Sequence, residues 1–88
     1  MFEVNQKVWV YDHRMKPVVC VVTESMPEIY ACVVVVENNP DHFYSNETVF
    51  DEHIYAYPGD RNRLIEQIQS DATFLMMYAE DLQNAQKR

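Results

Sequence analysis

The chain has 88 residues, 48 % of them hydrophobic and 12 % aromatic, with a formal net charge of −7. That apolar content excludes general disorder, and the length gives one small domain, expected over 1–88, burying about 60–65 % of its unfolded surface. Two cysteines are too few for a disulfide framework, MFEVNQK is not a secretory leader, and no segment nears the ~18–20 apolar residues of a membrane span.

In chain order, Lys7–Asp12 (KVWVYD) is the first strand, with Val8 and Val10 on one face and Trp9 and Tyr11 on the other. The polar run Asp12–Pro17 is its turn. Val18–Thr23 (VVCVVT) and Ile29–Val36 (IYACVVVV) are β-branched and apolar on both faces, which suits central strands of a curled sheet. Glu24–Glu28 is expected as the short hairpin loop between them. A hairpin turning at Met26 sets Cys20 opposite Cys32, where a disulfide is geometrically conceivable. The reading preferred is that both are small buried hydrophobes.

Asn38-Asn39-Pro40-Asp41 is a strong turn signal. Phe43-Tyr44 is expected to begin a further strand. Thr48–Phe50 and Ile54–Tyr57 supply another, interrupted near Asp51-Glu52. Gly59, the one glycine, sits just before Asp60, which is placed to cap a helix. From there Ile65, Ile68, Ala72, Leu75, Ala79 and Leu82 recur at alternating steps of three and four, a heptad seam.

The expected fold is therefore α+β: a small, strongly bent antiparallel sheet or Src-homology-3-like barrel of four to five strands over about 4–57, followed by a long helix over about 60–86. VNQKVWVYD, a second strand after a short turn, and an acidic-aromatic strand leading into a helix resemble small barrel proteins encoded in tailed-phage genomes. The resemblance covers about residues 4–57. It implies a bacterial host cytoplasm and carries no catalytic residues with it.

The stretch Glu37–His53 (ENNPDHFYSNETVFDEH) has suitable metal-ligand types in His42, His53, Asp41, Asp51 and Glu52. Their spacing lacks the compact pair a zinc site uses, and strand neighbours point to opposite faces. No nucleophile is activated: the serines lack a glycine elbow, and Cys20 lies among valines, where a thiolate is disfavoured. The expectation is no catalytic residue, no metal, no cofactor and no enzyme.

The aromatic residues could form a base-stacking platform, but such platforms line positive grooves. Residues 17–60 contain no Lys or Arg and eight acidic side chains, so this block carries −8 and the remainder only +1 of the −7 total. Direct nucleic-acid binding is not expected. The block is either a solubilising surface or a face that docks on a basic protein surface. The function expected is a phage-type inhibitor or nucleic-acid mimic acting on a nucleic-acid-handling defence protein. Its partner-binding residues would be Glu37, Asp41, Tyr44, Glu47, Asp51 and Glu52.

The alternative is a homo-oligomeric barrel protein whose C-terminal helix is the interface. At ~1.5 Å per residue such a helix is about 40 Å long, whereas strands of 5–6 residues span only ~20 Å. The sheet could bury Leu64, Ile65 and Ile68. Either the helix breaks near Ser70-Asp71, or Leu75, Met76, Ala79 and Leu82 meet a second copy in a homodimer.

Overall fold

The computed structural model describes residues 1–86, and the chain divides into two compact units, Met1–Tyr57 and Pro58–Arg88. The division falls at the junction expected between sheet and helix.

The first unit is a five-stranded antiparallel sheet in the order β4-β3-β2-β1-β5, curled into a half-barrel. Its strands are β1 (Lys7–Tyr11), β2 (Pro17–Met26), β3 (Ala31–Val36), β4 (Glu47–Phe50) and β5 (Ile54–Ala56). The two valine-rich strands lie inside the sheet, as their two-sided apolar character requires. Thr48–Phe50 and Ile54–Tyr57 are not one interrupted strand. They belong to opposite edges of the sheet: a 3₁₀ turn at Asp51–His53 carries the chain from β4 across to β5, which pairs with β1. A single bent strand could not reach both edges.

The main core is one cluster, and Trp9, also buried, packs with Tyr11 and Tyr55 instead. Val8, Val10, Cys20, Val22, Cys32, Val34, Val49 and Ile54 form one buried cluster, with Phe2, Val18, Val36 and Tyr44 packed against it. Alternation would turn Cys20, Val22 and Glu24 to the same side. A bulge between Val22 and Glu24 prevents this, so that Ser25 rather than Glu24 comes opposite the buried Cys32. The bulge lets one long strand keep its valines inside and its glutamate outside.

That register also overturns two expectations. Glu24, Ser25 and Met26 continue β2, and the reversal is instead made by a 3₁₀ turn over Pro27–Ile29, with Tyr30 in the left-handed region at φ 53° and ψ 49°. Moving the turn about two residues onward moves the pairing with it. Cys20 lies opposite Val36 and Cys32 opposite Ser25, so the two cysteines do not face each other, and both are free and buried. Burial pushes the Cys20 thiol up to about 12 and the Cys32 thiol upward as well.

The β1–β2 turn is built on Asp12, which is only 4 % exposed. Its Oδ1 accepts the backbone N–H groups of Arg14 at 2.9 Å and Lys16 at 3.0 Å. These two bonds, with Lys16 the stronger influence, hold the carboxyl below its ordinary range against the opposing effect of burial. Phe43 and Tyr44 do not begin a strand. The 37–46 segment is a series of turns, in which Ser45 N–H bonds to His42 O and the Ser45 hydroxyl accepts from Val36 N–H.

In the second unit, α1 (Arg61–Gln86) is one helix of 26 residues, about 39 Å long at ~1.5 Å per residue. It does not break at Ser70-Asp71. Nothing there disrupts the backbone ladder: Thr73, the next residue able to compete, donates its hydroxyl back to Gln69 O at 2.9 Å within the helix. Asp60 caps the start as expected, its Oδ1 accepting Asn62 N–H at 2.7 Å. Gly59 precedes it at φ 85°, a conformation that favours glycine.

Along α1, Leu64 is buried and Ile68 half-buried, but Ile65 is 43 % exposed. The expectation for Ile65 fails because it lies about 100° around the helix from Leu64. Further on, Phe74, Leu75, Met76, Met77 and Tyr78 are all exposed, as is Leu82. Five consecutive apolar residues cover the full circumference of an α-helix. The second half of α1 thus carries an apolar belt, wider than the single stripe of the heptad seam.

Candidate functional site

The chain changes direction twice at the end of the sheet where β3 begins and β4 ends. Pro27 opens the first reversal because its fixed φ suits the start of a short helical turn. Tyr30 closes it in the left-handed region, a conformation uncommon for a bulky residue. The second reversal starts at Asp51, whose N–H donates to Tyr30 O at 2.7 Å and ties the two turns together. Phe50 lies opposite Ala31 in the β3–β4 register, beside Tyr30.

The result is an open depression of about 320 Å³ lined by Tyr30, Phe50 and Glu52. The Tyr30 residue is 70 % exposed and Phe50 55 %. Neither ring belongs to the core cluster. Glu52 Oε1 lies 3.4 Å from His53 Nε2, and both side chains are largely in solvent. Asp51, next to it, accepts from the Cys32 thiol at 3.4 Å and is turned partly inward. Its negative charge is part of why the Cys32 thiol resists ionisation.

The six residues expected to form one partner-binding face are not together. Asp51 and Glu52 lie at this end of the sheet. Glu47 is exposed at the opposite end of β4, about 10 Å away at ~3.3 Å per residue. Glu37 is engaged by Lys7, Nζ to Oε1 3.2 Å. Tyr44 packs on the core, where burial is the main cause raising its phenol above the ordinary range. Asp41 sits in the 37–46 turns. An unbroken acidic run in sequence becomes a divided one in space, because the turns at 37–46 and at 51–53 send its parts to different corners.

One of those corners is not acidic. Phe43 stacks on His42 at a centroid distance of 4.5 Å, meets the His13 ring at 4.4 Å, and has the Arg14 guanidinium 5.5 Å from its centroid. The β1–β2 turn and the 37–46 turns thus share a mixed basic-aromatic cluster. Sequence reasoning missed it because its members lie in segments far apart along the chain. Tyr30 and Phe50 were missed for a different reason: alternation within apolar strands gives no sign of which ring faces solvent.

Among the described residues, no group of three or more His, Cys, Asp or Glu side chains is placed to hold a metal ion. His42 Nδ1 accepts the backbone N–H of Tyr44 at 3.0 Å, while His53 stands at the other end of the unit's turns beside Glu52. No helix of the described chain is long and apolar enough to cross a membrane.

What the depression can do chemically follows from its walls. Two exposed aromatic side chains and a solvated carboxylate line it, groups that suit a cation, and the sequence has no Lys or Arg from Pro17 to Asp60. No family model, no curated protein and no solved structure matches the chain.

Proposed function

We propose that this protein is a non-catalytic binding module that docks on the basic surface of a partner protein through the acidic-aromatic end of its sheet. The observation that carries the reading is the pair of exposed rings, Tyr30 and Phe50, beside Glu52 in a segment without Lys or Arg. Exposed large aromatics at one spot mark an interaction surface more than a solubilising one. The charge of the segment then selects the partner, since like charge rejects polyanions and attracts proteins that grip them. With the resemblance to phage-encoded barrels, the specific form is an inhibitor of a bacterial nucleic-acid-handling protein such as a defence nuclease.

The test is capture from bacterial lysate at low salt, identification of the retained protein, and affinity measurement with the purified pair. Binding should weaken strongly between about 50 and 300 mM salt, because exposed charges are screened over that range. Reversing the exposed Glu52 to Lys should weaken it further while leaving the fold intact. Affinity that is the same at both salts, for wild type and variant alike, would refute the reading.

A second reading is favoured by the helix. Phe74, Leu75, Met76, Met77, Tyr78 and Leu82 are all at least 45 % exposed. A row of this size on one helix is a docking surface, and a heptad seam fits a second copy of itself. In this reading the protein is a homodimer, assembled in a salt-resistant way through α1, and the two readings are compatible.

A further inference from the structure

The depression between Tyr30 and Phe50 has a chemistry more specific than attraction to positive charge. We infer that it is the seat of an arginine side chain from the basic partner, an inference that rests on the acidic docking proposed above.

Its size comes first. At about 320 Å³ and open to solvent, it stands at the bottom of the range of small-molecule pockets, about 300–1,000 Å³. One long side chain fits such a space. Its walls come next. Tyr30, Phe50 and Glu52 line it, and the Glu52 side chain is largely in solvent. A guanidinium is planar, stacks on aromatic faces and presents a fork of N–H donors to a carboxylate, so one group satisfies both features at once. An ammonium is compact and more strongly hydrated, and it can meet the carboxylate without using both rings.

The backbone adds a third observation. Tyr30 holds φ 53°, ψ 49° at the end of the 3₁₀ turn, a conformation glycine adopts without cost. Folding does not explain the ring, which is 70 % exposed and outside the core cluster. Met15 holds a similar φ of 62° in the β1–β2 turn, so the backbone alone does not mark a site; it leaves the Tyr30 ring in solvent, available to a ligand. The occupant is settled by charge. Glu52 has only the exposed His53 imidazole as an ion-pair neighbour among the described residues, and Lys7 is engaged by Glu37 and the Tyr57 ring, so a guanidinium brought by a partner has a carboxylate to meet.

The experiment uses the full chain and two dye-labelled probes, hexa-arginine and hexa-lysine peptides, with binding followed by fluorescence anisotropy. Hexa-arginine should bind at least about fivefold tighter than hexa-lysine at equal charge. Phe50→Ala and Tyr30→Gly should each erase that preference. Tyr30→Gly is the decisive variant, because glycine suits the turn and the thermal midpoint should not fall. Glu52→Gln should weaken hexa-arginine about tenfold, and Glu47→Gln, which removes the same charge away from the depression, should do so by less than about twofold.

Equal binding of the two peptides overturns the arginine seat, as does equal loss from Glu47→Gln and Glu52→Gln; in either case salt-sensitive binding still supports acidic docking. No binding of either peptide at low salt overturns both. Self-association that disappears in Glu52→Gln would mean that a second copy's arginine fills the depression, and would overturn the partner assigned here.

Discussion

Replacing Leu75 distinguishes a paired helix from a solitary one. Leu75 lies on the heptad seam of α1 and is 45 % exposed. Full burial of a leucine side chain stabilises by about 1.5–3 kcal/mol, so covering the remaining half gives about 1 kcal/mol per chain. A twofold dimer counts it twice, for about 2 kcal/mol, or roughly thirtyfold in the dissociation constant. Leu75→Ala should therefore weaken the dimer by about that factor. Leu75→Glu sets a charge into the interface from each subunit and should leave only monomer. Neither change should harm the helix itself, since Ala, Leu and Glu are all strong helix formers. Sedimentation equilibrium gives the masses and circular dichroism checks that helix content is kept. A wild-type chain at the monomer mass at about 100 μM refutes the paired helix, since a modest interface holds at micromolar concentration. A dimer indifferent to both substitutions would place the interface elsewhere.

Three further outcomes follow from the sheet. Val34 is fully buried in the core cluster, so Val34→Ala should cost about 2 kcal/mol and lower the melting temperature by roughly 8–16 °C in a calorimetric scan; a shift under about 3 °C would mean the site collapses freely or is not core. Asp12 has a carboxyl lowered from 3.8 in the folded chain, chiefly by the Lys16 N–H. A depressed acid contributes stability that is full above its unfolded value and lost as pH falls through the folded one, so melting temperature should drop below about pH 4, less steeply in Asp12→Asn; identical slopes would show that Asp12 is uninvolved. Cys20 and Cys32 are buried, with thiols shifted upward, so a disulfide-exchange dye at pH 8 should label neither in the folded protein and both in denaturant. Rapid labelling of the native chain would contradict their burial.

The strands were legible because their β-branched runs are long and their flanks polar; Val18–Thr23 and Ile29–Val36 declare themselves as inner strands. Register was not legible. It hinges on a bulge between Val22 and Glu24 and on a turn displaced from Met26 to Pro27–Ile29, and nothing in a row of valines says which neighbour is skipped. The same uncertainty produced the facing cysteines. The acidic segment was visible as composition, but composition has no direction in space. Only the turns at 37–46 and 51–53 separate Glu37, held by Lys7, from Glu52 beside its two rings. On α1 the spacing shows the seam, with Met76 and Met77 flanking it, but not the full width of the apolar surface, since Phe74 and Tyr78 lie off it and are equally exposed.

The order of the strands also has a consequence in time. Three of the four pairings join neighbours along the chain through short or moderate turns, while the fourth, β1 with β5, brings the sheet's first strand to its last. The hairpins can form early, because local contacts cost little loop-closure entropy. The β1–β5 seam has to wait until the meander has brought its edges near. Ile54, buried on β5, should then act mainly on escape from the native state: Ile54→Val should raise the unfolding rate in stopped-flow measurements and leave refolding nearly unchanged. A matching slowdown of refolding would instead put that seam in the nucleus. If the seam closes last it also opens first, and the lifetime of the folded protein is set by three residues of β5.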